Sequence, residues 1–251
     1  MATEKPLSVL RKTDEDARRL GRILMRSAPY AAMAVIAPDT GFPAISRVLV
    51  GTDWDGVPVI LVSTLSAHTR ALQADPRASL LMGEPGKGDP LAHARLSVEC
   101  LAEQVARDMQ SHHLLRDRFL ARHPRARLYI DFTDFQFFRL VPQAASLNGG
   151  FGKAYRLSGD DLVIRGVLPE AETAVWRAGV QDLLGAYPHL ASHIAATLKL
   201  EKHEACHIYG ADLAGFDLFW GDRLLRYEFS EPVQDLADLE FVIAKIANRV
   251  P

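Results

Sequence analysis

Between residues 30 and 64 the chain passes through three short apolar stretches, "YAAMAVIA", "PAISRVLVGT" and "VPVILVST", with "DTGF" and "DWDG" between them. No other feature restricts the fold as much. Each stretch is rich in β-branched residues and too short to bury the face of a long helix. The Asp, Thr and Gly between them are residues that turn a chain back on itself. The pattern predicts antiparallel strands joined by tight turns.

The same punctuation continues. A short helix is expected in "HTRALQA" and should stop at Asp75-Pro76, because a residue before proline is driven out of the helical region. "ASLLMG", "HARLSVECLAEQV" and "TDFQFFRLVP" read as further strands, and about 107 to 123 switches to helical spacing. Five or six strands with two helical inserts predict a β-barrel. Ahead of it, one amphipathic helix is expected, with Thr13 and Asp16 as a reciprocal cap, Ala17, Leu20, Ile23, Leu24 and Ser27 on one face, and its arginines on a solvated face.

From about residue 158 the pattern changes to two helices (about 170 to 185 and 188 to 201), a meander through "CHIYGADL", "GFDLFW" and "RLLRYEF", and a last helix on Leu236, Leu239, Val242, Ile243 and Ile246. The predicted class is therefore α+β, with a barrel domain over 1–157 and a small α+β domain containing an antiparallel meander over 158–251.

Composition narrows the partners. A chain of 251 residues, 48% hydrophobic and 24% charged, is long enough for a real core in each domain. A net charge of −2 supplies no global field for nucleic acid or an acidic membrane surface. Cys100 and Cys206 alone do not suggest a disulfide framework, and the first thirty residues mix charges without a signal-like apolar run. A cytoplasmic protein is expected, with no nucleic-acid or membrane partner and no metal implied by its cysteines.

The candidate site lies in "VSTLSAHTRALQADPRASLL", residues 62 to 81. Ser66 is placed to cap the short helix, and the N–H groups of Ala67, His68 and Thr69 belong to its first turn, where donors lack intrahelical acceptors. With Ser63, Ser66, Thr69 and Arg70, and with His68 if protonated, they could hold a phosphate. The alternative is ordinary turn and cap chemistry with Arg70 in water. In "AISRVLV", Arg47 shares a strand face with Ile45 and Leu49, so its guanidinium must either snorkel to an edge or meet an anion.

"SRVLV", "ILVSTLSAHTRALQADPRASLLM", "FRLVP" and "NGGFGKAY", in this order, resemble the split-barrel flavoproteins related to pyridoxamine 5′-phosphate oxidase. The similarity is greatest to the subgroup named for haem utilisation, in which a barrel precedes a small α+β domain like the one carrying "GADLAGFDLFWGDRLLRYEFSEPV". The resemblance implies a homodimer with flavin mononucleotide (FMN) at the interface. Its phosphate would be held by Arg47, which matches the family's strand arginine, and by Ser66, which matches a phosphate-binding serine. Thr52, Ala67 and His68 stand where the oxidases have lysine, arginine and lysine. Each lost charged partner weakens phosphate binding by about 1.5 to 3 kcal/mol, and no counterpart of the pyridoxal-binding C-terminal pair is present, so vitamin B6 oxidation is not expected.

Three readings follow. The first is an FMN-binding oxidoreductase or cofactor-handling protein using Arg47, Ser63, Ser66, His68, Thr69 and Arg70, in which any hydride or electron transfer is the flavin's, with an unspecified small-molecule substrate and no identifiable acid or base. The second is a haem-binding or haem-degrading protein that uses the same barrel without flavin. The third, remote, is a zinc hydrolase through His203, Glu204 and His207, which fit a zincin pattern only if helical. "ACHIYGADL" alternates like a strand, where residues four apart lie roughly 13 Å from each other. "LNGGFGKAYRL" has neither P-loop nor dinucleotide spacing and is expected to be a glycine turn.

Overall fold

The computed structural model describes residues 10–150, 152–164, 170–201 and 204–248. Six antiparallel strands form a closed barrel in the order β3-β2-β1-β4-β5-β6, with β6 returning to β3. They are β1 (Tyr30–Ile36), β2 (Pro43–Thr52), β3 (Pro58–Ser63), β4 (Arg77–Met82), β5 (Arg95–Val105) and β6 (Phe135–Asn148). β7 (Ala154–Ser158) extends the sheet along β6 through a turn in which Gly150 and Gly152 take positive φ. That turn is the glycine turn expected from "LNGGFGKAYRL"; the strand after it was not anticipated.

Alternation decides which residues fill the barrel. Ala31, Met33 and Val35 of β1 point inward, with Val48 and Val50, Ala78, Leu80 and Met82, and Leu96 and Val98 from its neighbours, in one cluster. β3 reads as a continuous apolar run because both its faces are covered. Ile60 and Val62 enter the barrel, while Val59 and Leu61 pack under helix α3 (Gln110–Arg122) with Leu115, Phe119 and Phe137. Helix α2 (Ala67–Ala74) sends Ala71 and Leu72 into the barrel cluster.

The remaining elements are helices α4 (Glu170–Ala186) and α5 (Leu190–Thr197), strands β8 (Cys206–Asp212), β9 (Gly215–Trp220) and β10 (Arg223–Glu228) in a three-stranded meander, and helix α6 (Leu236–Ala247). They share a second core around Trp176, Ile194, Phe216, Leu218, Leu239 and Ile243.

Helix α1 (Glu15–Ser27) departs from its expected surroundings. Asp14, not Thr13, caps it by accepting from the Ala17 N–H, and Thr13 donates instead to the Arg156 carbonyl. Two of its arginines leave the solvated face, while Arg18 and Arg19 stay partly in water: Arg22 bonds Glu228 on β10, and Arg26, fully buried, donates to Asp212 on β8 at 2.9 Å. Asp212 also accepts from Arg118 and Arg226, and Asp217 accepts from the same two. Arg122 donates to the carbonyls of Arg26, Ala28 and Val50 and to the Tyr209 hydroxyl. The two cores are thus joined by a buried ionic network rather than by a bare apolar seam.

Burial in that network cuts both ways. Three guanidinium groups hold the Asp212 carboxyl far below the usual carboxylate range despite its desolvation. Arg226, bonded to both aspartates, is held above its ordinary value despite its burial, whereas burial, with the Arg226 charge nearby, pulls Arg26 down to about 10, and its Nε and Nη2 find no partner among the described residues. Arg26 stays charged at neutral pH.

Candidate functional site

The turn from β3 into α2 is built by the chain's own hydrogen bonds. The Ser63 hydroxyl donates to Asp134 at 2.5 Å and accepts from the Leu65 N–H, and the Ser63 carbonyl receives both the Ser66 N–H and the hydroxyl of fully buried Thr69. Ser63 and Thr69 therefore fix the turn. Ser66 stands at the N-cap position, yet its side chain makes no capping bond. Its carbonyl takes the Thr69 and Arg70 N–H groups, so Ala67 and His68 carry the first-turn donors still without acceptors inside the helix.

His68 is half-buried, and desolvation lowers its pKa below the ordinary histidine value. Burial thus favours its neutral form, and a neighbouring anion would work in the opposite direction. Arg70 is exposed and reaches the Leu65 carbonyl at 3.3 Å.

Arg47 lies on the outside of the barrel. Its guanidinium sits over the Tyr30 ring, 5.1 Å from the centroid, with no carboxylate partner among the described residues. Register places Arg47 beside Ala32 and Leu81 on one row, Ile45 beside Ala34 and Ser79 on the next, and Tyr30 beside Leu49. This outer face is apolar and open: Ile45 is 73% exposed and Leu81 49%. Such a continuous exposed apolar face marks a surface made to be covered. Sequence reasoning identified Arg47 but not Tyr30 beneath it, because a cross-strand partner depends on register, and it missed Asp134, which anchors Ser63 from a distant loop.

The zinc reading gains nothing from the fold. His203 lies outside the described residues, Glu204 is exposed, and His207 stands on strand β8 with its ring stacked on Phe219 at 5.0 Å. Among the described residues no group of three or more potential ligands from His, Cys, Asp and Glu gathers. Likewise, no helix among them is long and apolar enough to cross a membrane.

The closed barrel with its appended strand is matched, over residues 12–162, by the model of the family described as CREG, beta-barrel. The chain belongs to that family. Over 120 residues, 48% of this chain, it is 33% identical to the chloroplast heme oxygenase HOZ of Arabidopsis thaliana. Over 110 residues, 41% of the chain, it is 34% identical to the heme oxygenase HutZ of Vibrio cholerae. The matched regions span only 36% and 61% of those two relatives' own lengths. The solved structure of a heme binding protein from Mycobacterium smegmatis covers 96% of this chain and 98% of its own, with 26% identity and a TM-score of 0.55.

Proposed function

We propose that this chain is a haem-handling protein that works as a homodimer, the group lying against the outer barrel face that carries Arg47. One observation carries the reading: an exposed guanidinium, without a carboxylate partner among the described residues, stands in the middle of an apolar sheet face. Haem is a flat apolar ring with two carboxylates, so it needs such a face for the ring and cations for its acid groups. Arg47 suits one carboxylate, and Arg70 with the Ala67 and His68 N–H groups suits an acid group near α2. The relatives described as heme oxygenases, and the heme binding protein matched along nearly the whole chain, support the same reading.

Haem, when bound, supplies its own redox chemistry. The protein's part is to grip the acid groups, shield the ring and limit water. A single barrel covers only one side of a ring lying on this face, and a second copy packed through Ile45, Leu49 and Leu81 would cover the other.

The experiment is a haemin titration followed by absorption. A saturable Soret shift is expected, with Arg47→Ala weakening the affinity by about tenfold or more, the loss of one charge-assisted bond. An unsaturable response, or an Arg47→Ala protein that binds haemin as well as the parent, rejects the reading. Sedimentation of Ile45→Asp, expected to be monomeric beside a dimeric parent, tests the assembly.

A second reading keeps flavin mononucleotide at the same face. The unbonded Ser66 side chain at the N-cap and the first-turn N–H groups favour it, since they suit a phosphate as well as a carboxylate. The same titration with flavin separates the two readings: quenching of flavin fluorescence without a Soret response would favour FMN.

A further inference from the structure

Away from the outer barrel face, a cleft of about 470 Å³ opens where α3, α4 and β8 meet, within the size range of small-molecule sites. Trp54 and Trp176 stand in its wall with small side chains from α3 and α4, while Arg118, Tyr209 and Asp217 give it a polar end. Two donors at this end lack acceptors. The Trp54 Nε1–H is buried with no acceptor. Arg118, stacked 4.5 Å from the Trp54 ring centroid, uses Nε on the Thr52 carbonyl and Nη2 on Asp212 and Asp217, which leaves Nη1 without a partner among the described residues.

Charge does not select the ligand, since the five guanidinium groups of the junction (Arg26, Arg118, Arg122, Arg139 and Arg226) meet five carboxylates (Asp53, Asp55, Glu103, Asp212 and Asp217). What the cleft lacks is acceptors. An orphaned buried indole N–H and a guanidinium nitrogen without a partner are both relieved by a group that offers lone pairs, a carboxylate offers them most strongly, and the aromatic and small apolar walls ask for a flat ring behind it.

We propose that this cleft binds a flat aromatic acid, its carboxylate at Arg118 and the Trp54 Nε1–H and its ring between α3 and α4. The site is independent of the haem reading and uses none of its residues. A cation would be repelled by Arg118 and offer no acceptor; a neutral alcohol would bring only one weaker acceptor to the two donors.

The test is a titration of the ¹⁵N-labelled full chain with 2-naphthoate and, separately, with 2-naphthalenemethanol, reading the Trp54 indole N–H resonance assigned through Trp54→Phe. Naphthoate should shift that resonance saturably and bind about tenfold or more tightly than the alcohol. Ala178→Phe and Ala121→Phe, at exposed positions on α4 and α3 (Ala178 and Ala121 both line the cleft), should fill it and abolish the shift. Arg47→Ala should leave the shift unchanged. Equal affinity for acid and alcohol, binding that survives both filling substitutions, or no shift up to about 10 mM naphthoate would overturn the proposal.

Discussion

Replacing Asp212 by Asn removes one charge from the centre of the molecule while changing almost no volume. The Asp212 carboxylate accepts from Arg26 at 2.9 Å, from Arg118 at 3.2 Å, from Arg226 at 2.5 Å and from the Ala214 N–H at 2.9 Å, and the side chain is 1% exposed. Asparagine can keep the bond to Ala214 through its carbonyl oxygen, but its NH₂ would then point at guanidinium donors. Arg26 would suffer most, since Asp212 is its sole carboxylate partner among the described residues. Breaking a buried pair from one side costs about 3–5 kcal/mol because the other charge stays behind. That is a large part of the roughly 5–15 kcal/mol that holds a protein of this kind together. At about 2–4 °C per kcal/mol for this size, the melting temperature should fall by about 6–20 °C.

The same substitution should change the acid response. The Asp212 carboxyl titrates far lower folded than unfolded, so its contribution is fully present above the unfolded value near 3.9, begins to decline below it and is lost only as pH falls through the far lower folded value. Asp212→Asn should accordingly show a smaller difference from the parent at pH 3 than at pH 7, with part of that difference still present. Calorimetric melts at pH 7 and at pH 3 measure both effects. An Asp212→Asn protein melting within about 2 °C of the parent at pH 7 would refute the account of the junction.

Three further outcomes follow from the same geometry. Gly56 has φ +83°, and a Cβ there would collide with the Arg26 guanidinium, so Gly56→Ala should destabilise by about 3 kcal/mol or more in urea unfolding; a loss below about 1 kcal/mol would show that Arg26 can move aside. Thr69→Val removes the 2.7 Å bond to the Ser63 carbonyl, which keeps its bond from the Ser66 N–H, so the loss should be only about 1 kcal/mol by the same assay. The Cys100 thiol is buried and pushed up to about 12, so a disulfide reagent at pH 8 should modify half-buried Cys206 in the native protein and reach Cys100 only on unfolding. Comparable native rates for both would contradict the burial.

Much of the barrel could be read from local pattern. Strands β1 to β6, helices α2 and α3, and the meander β8 to β10 follow from runs of alternating or continuous apolar residues between turn signals, because burial on one face or two writes its period directly into the chain. β7 escaped this reading. Five residues after a glycine turn carry too little pattern to be told from a linker, and their strand character comes from pairing with β6. The capping residue of α1 was off by one, since Thr13 and Asp14 are both good caps and only the Arg156 carbonyl, 143 residues away, draws Thr13 elsewhere.

The candidate site divides along the same line. Its residue types at the β3–α2 turn were determined by the sequence alone, as was the sharing of one strand face by Arg47, Ile45 and Leu49, because both depend on neighbours within a few positions. Tertiary structure decided that this face is the open exterior of the barrel, that Tyr30 lies under the guanidinium, and that Asp134 holds Ser63. It alone took Arg22 and Arg26 of α1 out of a solvated stripe into a network with Glu228 and Asp212, and opened the cleft beside Trp54. Periodicity reports that a side chain shares a face with others; which atoms meet that face is set by the packing of segments up to some 200 residues apart, where no local pattern reaches.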